Sequence, residues 1–243
     1  AIGFFTNPGN CAQRTIFGEV DRVDFISTDS GLNSTAVLAT REGSCASNQT
    51  LLGKLTVNRI STTGFPTGVL TQMGGSASIS ITNNEFSDAD FCLFLDESNT
   101  DTSFLGNRCE FSVNAVVAGN INGTFPANRL RLQDNILTSA NPLSGTVIAC
   151  LQVLSSSATA MTLNVLNNSC TINGGDAAVT VLTDQVDSAV ITGNTFSGAT
   201  DGIFLFDSDD TYINGNVFSN IAATADIGID VDSSGTIIGP QSA

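Results

Sequence analysis

Carboxylates are the residues best placed to do chemistry in this chain. Asp207, Asp209 and Asp210 stand together, with Asp184, Asp187, Asp230 and Asp232 close by in the sequence. Asp187 and Asp209 each lie seven residues before an asparagine, Asn194 and Asn216, so a repeat built on those asparagines gives the two carboxylates one register. Two carboxylates held that close resist joint ionisation unless they share a proton or a cation. Three readings are open: a solvated acidic turn, a low-affinity Ca²⁺ site drawn from Asp187, Asp207, Asp209 and Asp210, or an acid and base that hydrolyse a glycosidic bond. A second set lies in the segment DESNTD and adds Asp96 and Asp101 to the catalytic candidates.

What is missing narrows the chemistry. The 243 residues include 23 acidic and eight basic side chains and no histidine, for a net charge of −15. All eight cations fall within the first 131 residues; eleven aspartates and no cation follow Arg131. Phosphate binding needs clustered cations, so nucleic acid is not a partner, and a polyanionic sugar is disfavoured along the C-terminal half. The six cysteines form no CxxC pair, which argues against a zinc or redox motif. Their even number allows disulfides in a secreted or cell-surface chain, and Cys11–Cys45 is the expected bridge because both lie in the irregular N-terminal part. The other four cysteines read equally well as small apolar core residues. No stretch approaches the roughly 18 apolar residues that span a bilayer.

These side chains must be positioned by a repeat. Asn58, Asn84, Asn107, Asn135, Asn168, Asn194 and Asn216 are separated by 26, 23, 28, 33, 26 and 22 residues. Three residues before each stands an apolar residue: Leu55, Ile81, Phe104, Leu132, Val165, Ile191, Ile213. Two residues after each stands another: Ile60, Phe86, Cys109, Leu137, Cys170, Phe196, Phe218. A turn former usually sits just before the asparagine. A period of about 22 residues accommodates three short strands and three turns, and stacked copies share one core. Asparagines repeated at such a corner can hydrogen-bond from copy to copy, so Asn107, Asn135, Asn168, Asn194 and Asn216 are expected to form a ladder.

Segments such as TGNTFSG (192–198) and NGNVFSN (214–220) resemble the right-handed parallel β-helix repeat of pectate-lyase-like proteins, phage tailspikes and bacterial surface proteins. The resemblance covers roughly residues 50 to 240. It implies an all-β, right-handed parallel β-helix of about seven to nine coils over residues 51–243, preceded by a cap or irregular first coil over 1–50. The Asn99-Thr100-Asp101 triplet also matches one motif of polygalacturonase-like hydrolases. The histidine and the later lysine of those enzymes have no counterpart here. The outward position four before each asparagine reads Ser80, Ser103, Arg131, Asn164, Val190, Tyr212, which is no threonine ladder and excludes an ice-binding face.

Two functions are therefore expected. One is a non-catalytic, extracellular module, a stalk or adhesive passenger domain contacting a surface glycan or another protein, within a longer chain or an oligomer. The alternative is a glycoside hydrolase or tailspike-like depolymerase working through paired aspartates. No cofactor other than Ca²⁺ is implied.

Overall fold

The computed structural model describes residues 2–6, 15–27, 34–41, 52–72, 77–96, 100–121, 128–140, 146–155, 161–174, 177–222, 226–230 and 232–242. Among them there are strands and turns but no helix. In chain order the strands are β1 (Ile2–Thr6), β2 (Thr15–Asp21), β3 (Asp24–Ile26), β4 (Thr35–Arg41), β5 (Leu52–Asn58), β6 (Ser61–Thr63), β7 (Thr67–Gln72) and β8 (Ala77–Thr82). The long β9 (Glu85–Asp96), β10 (Thr100–Leu105), the long β11 (Arg108–Ile121), β12 (Asn128–Gln133), β13 (Ile136–Ser139), β14 (Val147–Ser155), β15 (Met161–Leu166) and β16 (Ser169–Thr171) follow. The chain then forms β17 (Ala177–Asp184), β18 (Ser188–Thr192), β19 (Thr195–Ser197), β20 (Asp201–Phe206), β21 (Thr211–Asn214), β22 (Val217–Ser219), β23 (Ile227–Ile229) and β24 (Ile237–Ile238).

These strands make parallel sheets that the chain climbs one strand at a time. One sheet has nine strands in the order β2-β5-β8-β10-β12-β15-β18-β21-β24. The other has fifteen and divides into two runs that β9 and β11 join, because each is long enough to serve both. A short run carries β3, β6, the start of β9 and β11, then β13, β16, β19 and β22. A third run carries β1, β4, β7, the ends of β9 and β11, then β14, β17, β20 and β23. Each sequence repeat therefore contributes one strand to each run. The described strands of the first fifty residues pair in the same sense, β1 with β4 and β2 with β5.

Alternation makes the core. In β15, Met161, Leu163 and Val165 are buried while Thr162 and Asn164 are half-buried, the period-two pattern of a strand with one wet face. Side chains in register stack into columns: Ile81, Phe104, Leu132, Val165, Ile191 and Ile213 in the nine-stranded sheet, and Phe86, Cys109, Leu137, Cys170, Phe196 and Phe218 in the short run. All of these are at most 2% exposed.

Between those two runs the chain turns through one left-handed residue, among them Asn83 (φ 55°), Gly106 (φ 64°), Asp134 (φ 55°), Asn167 (φ 54°) and Gly193 (φ 68°). Asparagine, aspartate and glycine recur there because they tolerate that conformation. At Gly193 a Cβ would also lie 2.5 Å from the Asn167 Oδ1. The next residue is the ladder amide. The Oδ1 atoms of Asn107, Asn135, Asn168, Asn194 and Asn216 each accept from the backbone N–H and the Nδ2 of the asparagine one coil earlier. Each Nδ2 in turn donates to a main-chain carbonyl of that earlier coil.

The ladder runs past the five expected asparagines at both ends, and the repeat alignment slips at the first. Asn58 pairs with Thr82, not with Asn84, so the repeat was misaligned by two residues in that coil. The ladder position there is Ile60, whose N–H donates to Asn84 Oδ1 at 3.0 Å, and the column residues are Val57 and Thr62 in place of Leu55 and Ile60. At the other end Gln241 takes the asparagine's part. Its Oε1 accepts from the Asn216 N–H (2.9 Å) and Nδ2 (3.1 Å), and its Nε2 donates to the Ile213 carbonyl.

For the other four cysteines, which the sequence left open between disulfides and small core residues, the structure shows disulfides. Cys92–Cys109 and Cys150–Cys170 are disulfides, each tying the third run of one coil to the short run of the next. Cys11 and Cys45, the pair favoured from sequence, lie outside the described residues.

Candidate functional site

The corner between β20 and β21 holds Asp207, Asp209 and Asp210. Asp207 (φ 39°) and Asp210 (φ 41°) are themselves left-handed, so part of their role is to make the turn. The Asp209 N–H donates to the Val186 carbonyl at 2.8 Å, which sets Asp209 beside Asp187 one coil earlier. The Asp209 carboxylate, however, is committed to the following coil, where its Oδ1 accepts from the Ser234 N–H and Oγ. Asp230 behaves alike: its Oδ1 accepts from the Asp207 N–H (3.1 Å) and from the N–H (3.1 Å) and Oγ (2.8 Å) of Ser233. Burial pushes the Asp230 carboxyl upward, but those hydrogen bonds, led by the Ser233 hydroxyl, outweigh it and hold the pKa below the usual carboxylate value. Asp184 moves the other way, raised by burial and then by the charges of Asp207 and Asp230.

The calcium set proposed from sequence does not converge. Among the described residues no three His, Cys, Asp or Glu side chains gather into a group that could hold a metal ion. The physical reason lies in the hydrogen bonds above: Asp209 turns an oxygen to Ser234 of the following coil, and Asp230 turns one to Ser233 of its own turn and to the Asp207 N–H.

Of the catalytic candidates, Asp96 and Asp101 lie apart from each other and from the corner aspartates. Asp96 ends β9 in the third run, whereas Asp101 is exposed on β10 in the nine-stranded sheet, in register with Arg129. Asp207, Asp209 and Asp210 follow β20, four strand steps beyond β9, which is about 19 Å along the stack. Glycosidase carboxylates work across roughly 5 to 10 Å. Glu97 and Asn99 lie outside the described residues. In the first coils, burial raises the Asp21 carboxyl, but hydrogen bonds from Arg59 and Asn58 and the charges of Arg59 and Arg22 bring it below its ordinary value.

What the structure adds is an apolar groove on the outer face of β9, β11 and β14. Its volume is ≈ 530 Å³. Phe91 and Phe94 stack at one side, ring centroids 5.5 Å apart, and Val113, Val117, Val147 and Leu154 complete the walls. A buried amide lies at its base: Asn114 accepts from the Ala149 N–H at 2.6 Å and donates to Gln152 Oε1 at 2.8 Å. Asp96 is the carboxylate at its edge. The pairing of β11 with β9 shifts between Phe111 and Asn114, where β11 carries one extra residue; such bulges re-aim side chains, and here Val113 joins the groove wall. Gly119, between Asp96 and Leu154 in register, leaves the groove open. The segment FCLFLD carried a legible hint, since Leu93 and Leu95 face inward and a phenylalanine between them must face out.

Comparison with protein-family profiles, with curated proteins and with solved structures finds no match.

Proposed function

We propose that the chain is a right-handed parallel β-helix of about nine coils that serves, outside the cytoplasm, as a non-catalytic adhesive or structural module and makes contact through its lateral groove. The fixed order in which the chain visits its three runs supports the β-helix reading. Two buried disulfides support an oxidising compartment, where such bonds form and persist. The observation that carries the binding reading is the groove itself, whose walls are valine, leucine and phenylalanine and whose one lining carboxylate is Asp96. A hydrolase needs a second carboxylate across the same cleft.

Incubation with a panel of polysaccharides, with release of reducing ends measured in the same wells, tests this. The expected result is no release above a blank lacking protein. Release that disappears in Asp96→Asn would overturn the reading in favour of the hydrolase.

A further inference from the structure

The groove is continuous with a longer furrow along the third run. Leu70, Phe94, Val117, Gln152, Leu182 and Phe204 form one outward column along the third run. Asp96, Gly119, Leu154, Asp184 and Phe206 form the next, two residues farther along each strand. Leu154 is 39% exposed and Phe206 41%, and Phe204 and Phe206 pack together with centroids 4.6 Å apart. Outward leucine and phenylalanine on β9, β14, β17 and β20, joined across β11 by Val117 and Gly119, make a patch that marks an interaction surface.

Two features specify the occupant. The first is charge. From the end of β9 to β23 the described strands of this run carry Asp96, Asp184 and Asp201 and no lysine or arginine, and the adjoining corner adds Asp207 and Asp230. An acidic rim around an apolar floor repels a second copy of this −15 chain and attracts a cationic partner. The second is spacing. The columns repeat every ~4.8 Å along the stack, and an α-helix laid along the same direction repeats every ~5.4 Å. Over the four steps from β9 to β20 the mismatch accumulates to only about 2 Å, so one helix face can seat a side chain between each pair of strands.

We infer that the furrow over β9, β11, β14, β17 and β20 binds a basic amphipathic helix of a partner protein, apolar face down and lysine or arginine toward the aspartate rim. This rests on the groove being the binding surface. Gly119 supplies a variant that fills it without harming the fold. A Cβ there meets its nearest neighbours, Phe94 and Val117, at an ordinary 3.8 Å.

The probe is an 18-residue Leu/Lys peptide with leucine at helical i, i+3, i+4, i+7 spacing. Its controls are a scrambled peptide of the same composition and a Leu/Glu counterpart. Isothermal titration should show the amphipathic basic peptide binding at least tenfold tighter than the scrambled one, with no binding of the acidic one. Gly119→Leu should weaken it tenfold or more while melting at the parent temperature, and Phe94→Ser should weaken it too. Equal binding of the scrambled peptide, or unchanged binding by Gly119→Leu, would overturn the inference, because charge alone or another surface would then be responsible. A dimer in light scattering that Gly119→Leu dissociates would also overturn it, yet would leave the groove a binding surface. No peptide binding together with glycan binding abolished by Gly119→Leu would do the same.

Discussion

Replacing Asn168 by alanine removes the middle rung of the ladder. Asn168 is 3% exposed. Its Oδ1 accepts from the Asn135 N–H (3.0 Å) and Nδ2 (2.8 Å), and its Nδ2 donates to the Leu132 carbonyl (3.1 Å) and Asn194 Oδ1 (3.0 Å). All four bonds are lost, whereas the backbone N–H of residue 168 keeps its bond to Asn194 Oδ1. The Asn135 N–H loses its Oδ1 acceptor and the Leu132 carbonyl its side-chain donor. At ~1–3 kcal/mol for each buried group left unsatisfied, the variant should lose about 4 kcal/mol. For a chain of this length that is a fall in Tm of roughly 8–16 °C. Asn58→Ala is the matched control. Asn58 lies off the ladder, bonded to Asp21 and Thr82 in a partly buried setting, and should cost roughly 1 kcal/mol. Differential scanning calorimetry of both variants decides. If Asn168→Ala melts no lower than Asn58→Ala, the ladder is not what holds the corner.

Further outcomes follow from the same structure. The disulfides close segments with sequence separations of 17 and 20, so Cys92→Ser/Cys109→Ser should lose about 3 kcal/mol in urea unfolding; an unchanged midpoint would mean that the bond does not form. For Asp184, whose folded pKa is raised, the folded state binds its proton more tightly than the unfolded chain. Its contribution to stability therefore falls as pH rises through the unfolded and then the raised folded value. Asp184→Asn should be more stable than the parent at about pH 7, with the gain gone near pH 3; a less stable variant at neutral pH would refute the assignment. Asp230, lowered in the fold, should show the reverse, with stability present at neutral pH and lost as pH falls through its folded value. Thermal melts in millimolar CaCl₂ and in EDTA at matched ionic strength should coincide; a rise with calcium would show that the aspartate corner converges after all.

The repeat was legible because its anchor does two jobs at once, a left-handed corner and a buried amide, and few residue types serve both. The slip at Asn58 has an equally physical cause. A strand's facing has period two, so a shift of two leaves Leu55 and Val57 both pointing inward, and the inward–outward test cannot detect it. Gln241 was hidden because the repeat was aligned on asparagines, and a glutamine with a longer side chain fills the same place. The disulfides resembled core because Cys109 and Cys170 occupy the same inward column as Phe86 and Phe196. The groove was not readable from composition: it needs the third run, the β11 bulge and the gap at Gly119 together.

The central claim is that each repeat adds one layer to a parallel stack whose sides carry the function. Electron–electron distance measurements between spin labels in one outward column test it directly. Thr56, Ser80, Val190 and Tyr212 share that column. Labels at Ser80–Val190, Thr56–Val190 and Thr56–Tyr212 are separated by four, five and six strand steps, so their mean distances should rise through ~19, ~24 and ~29 Å. Distances that fail to grow with the number of intervening repeats would contradict the stack, and with it the furrow that depends on it.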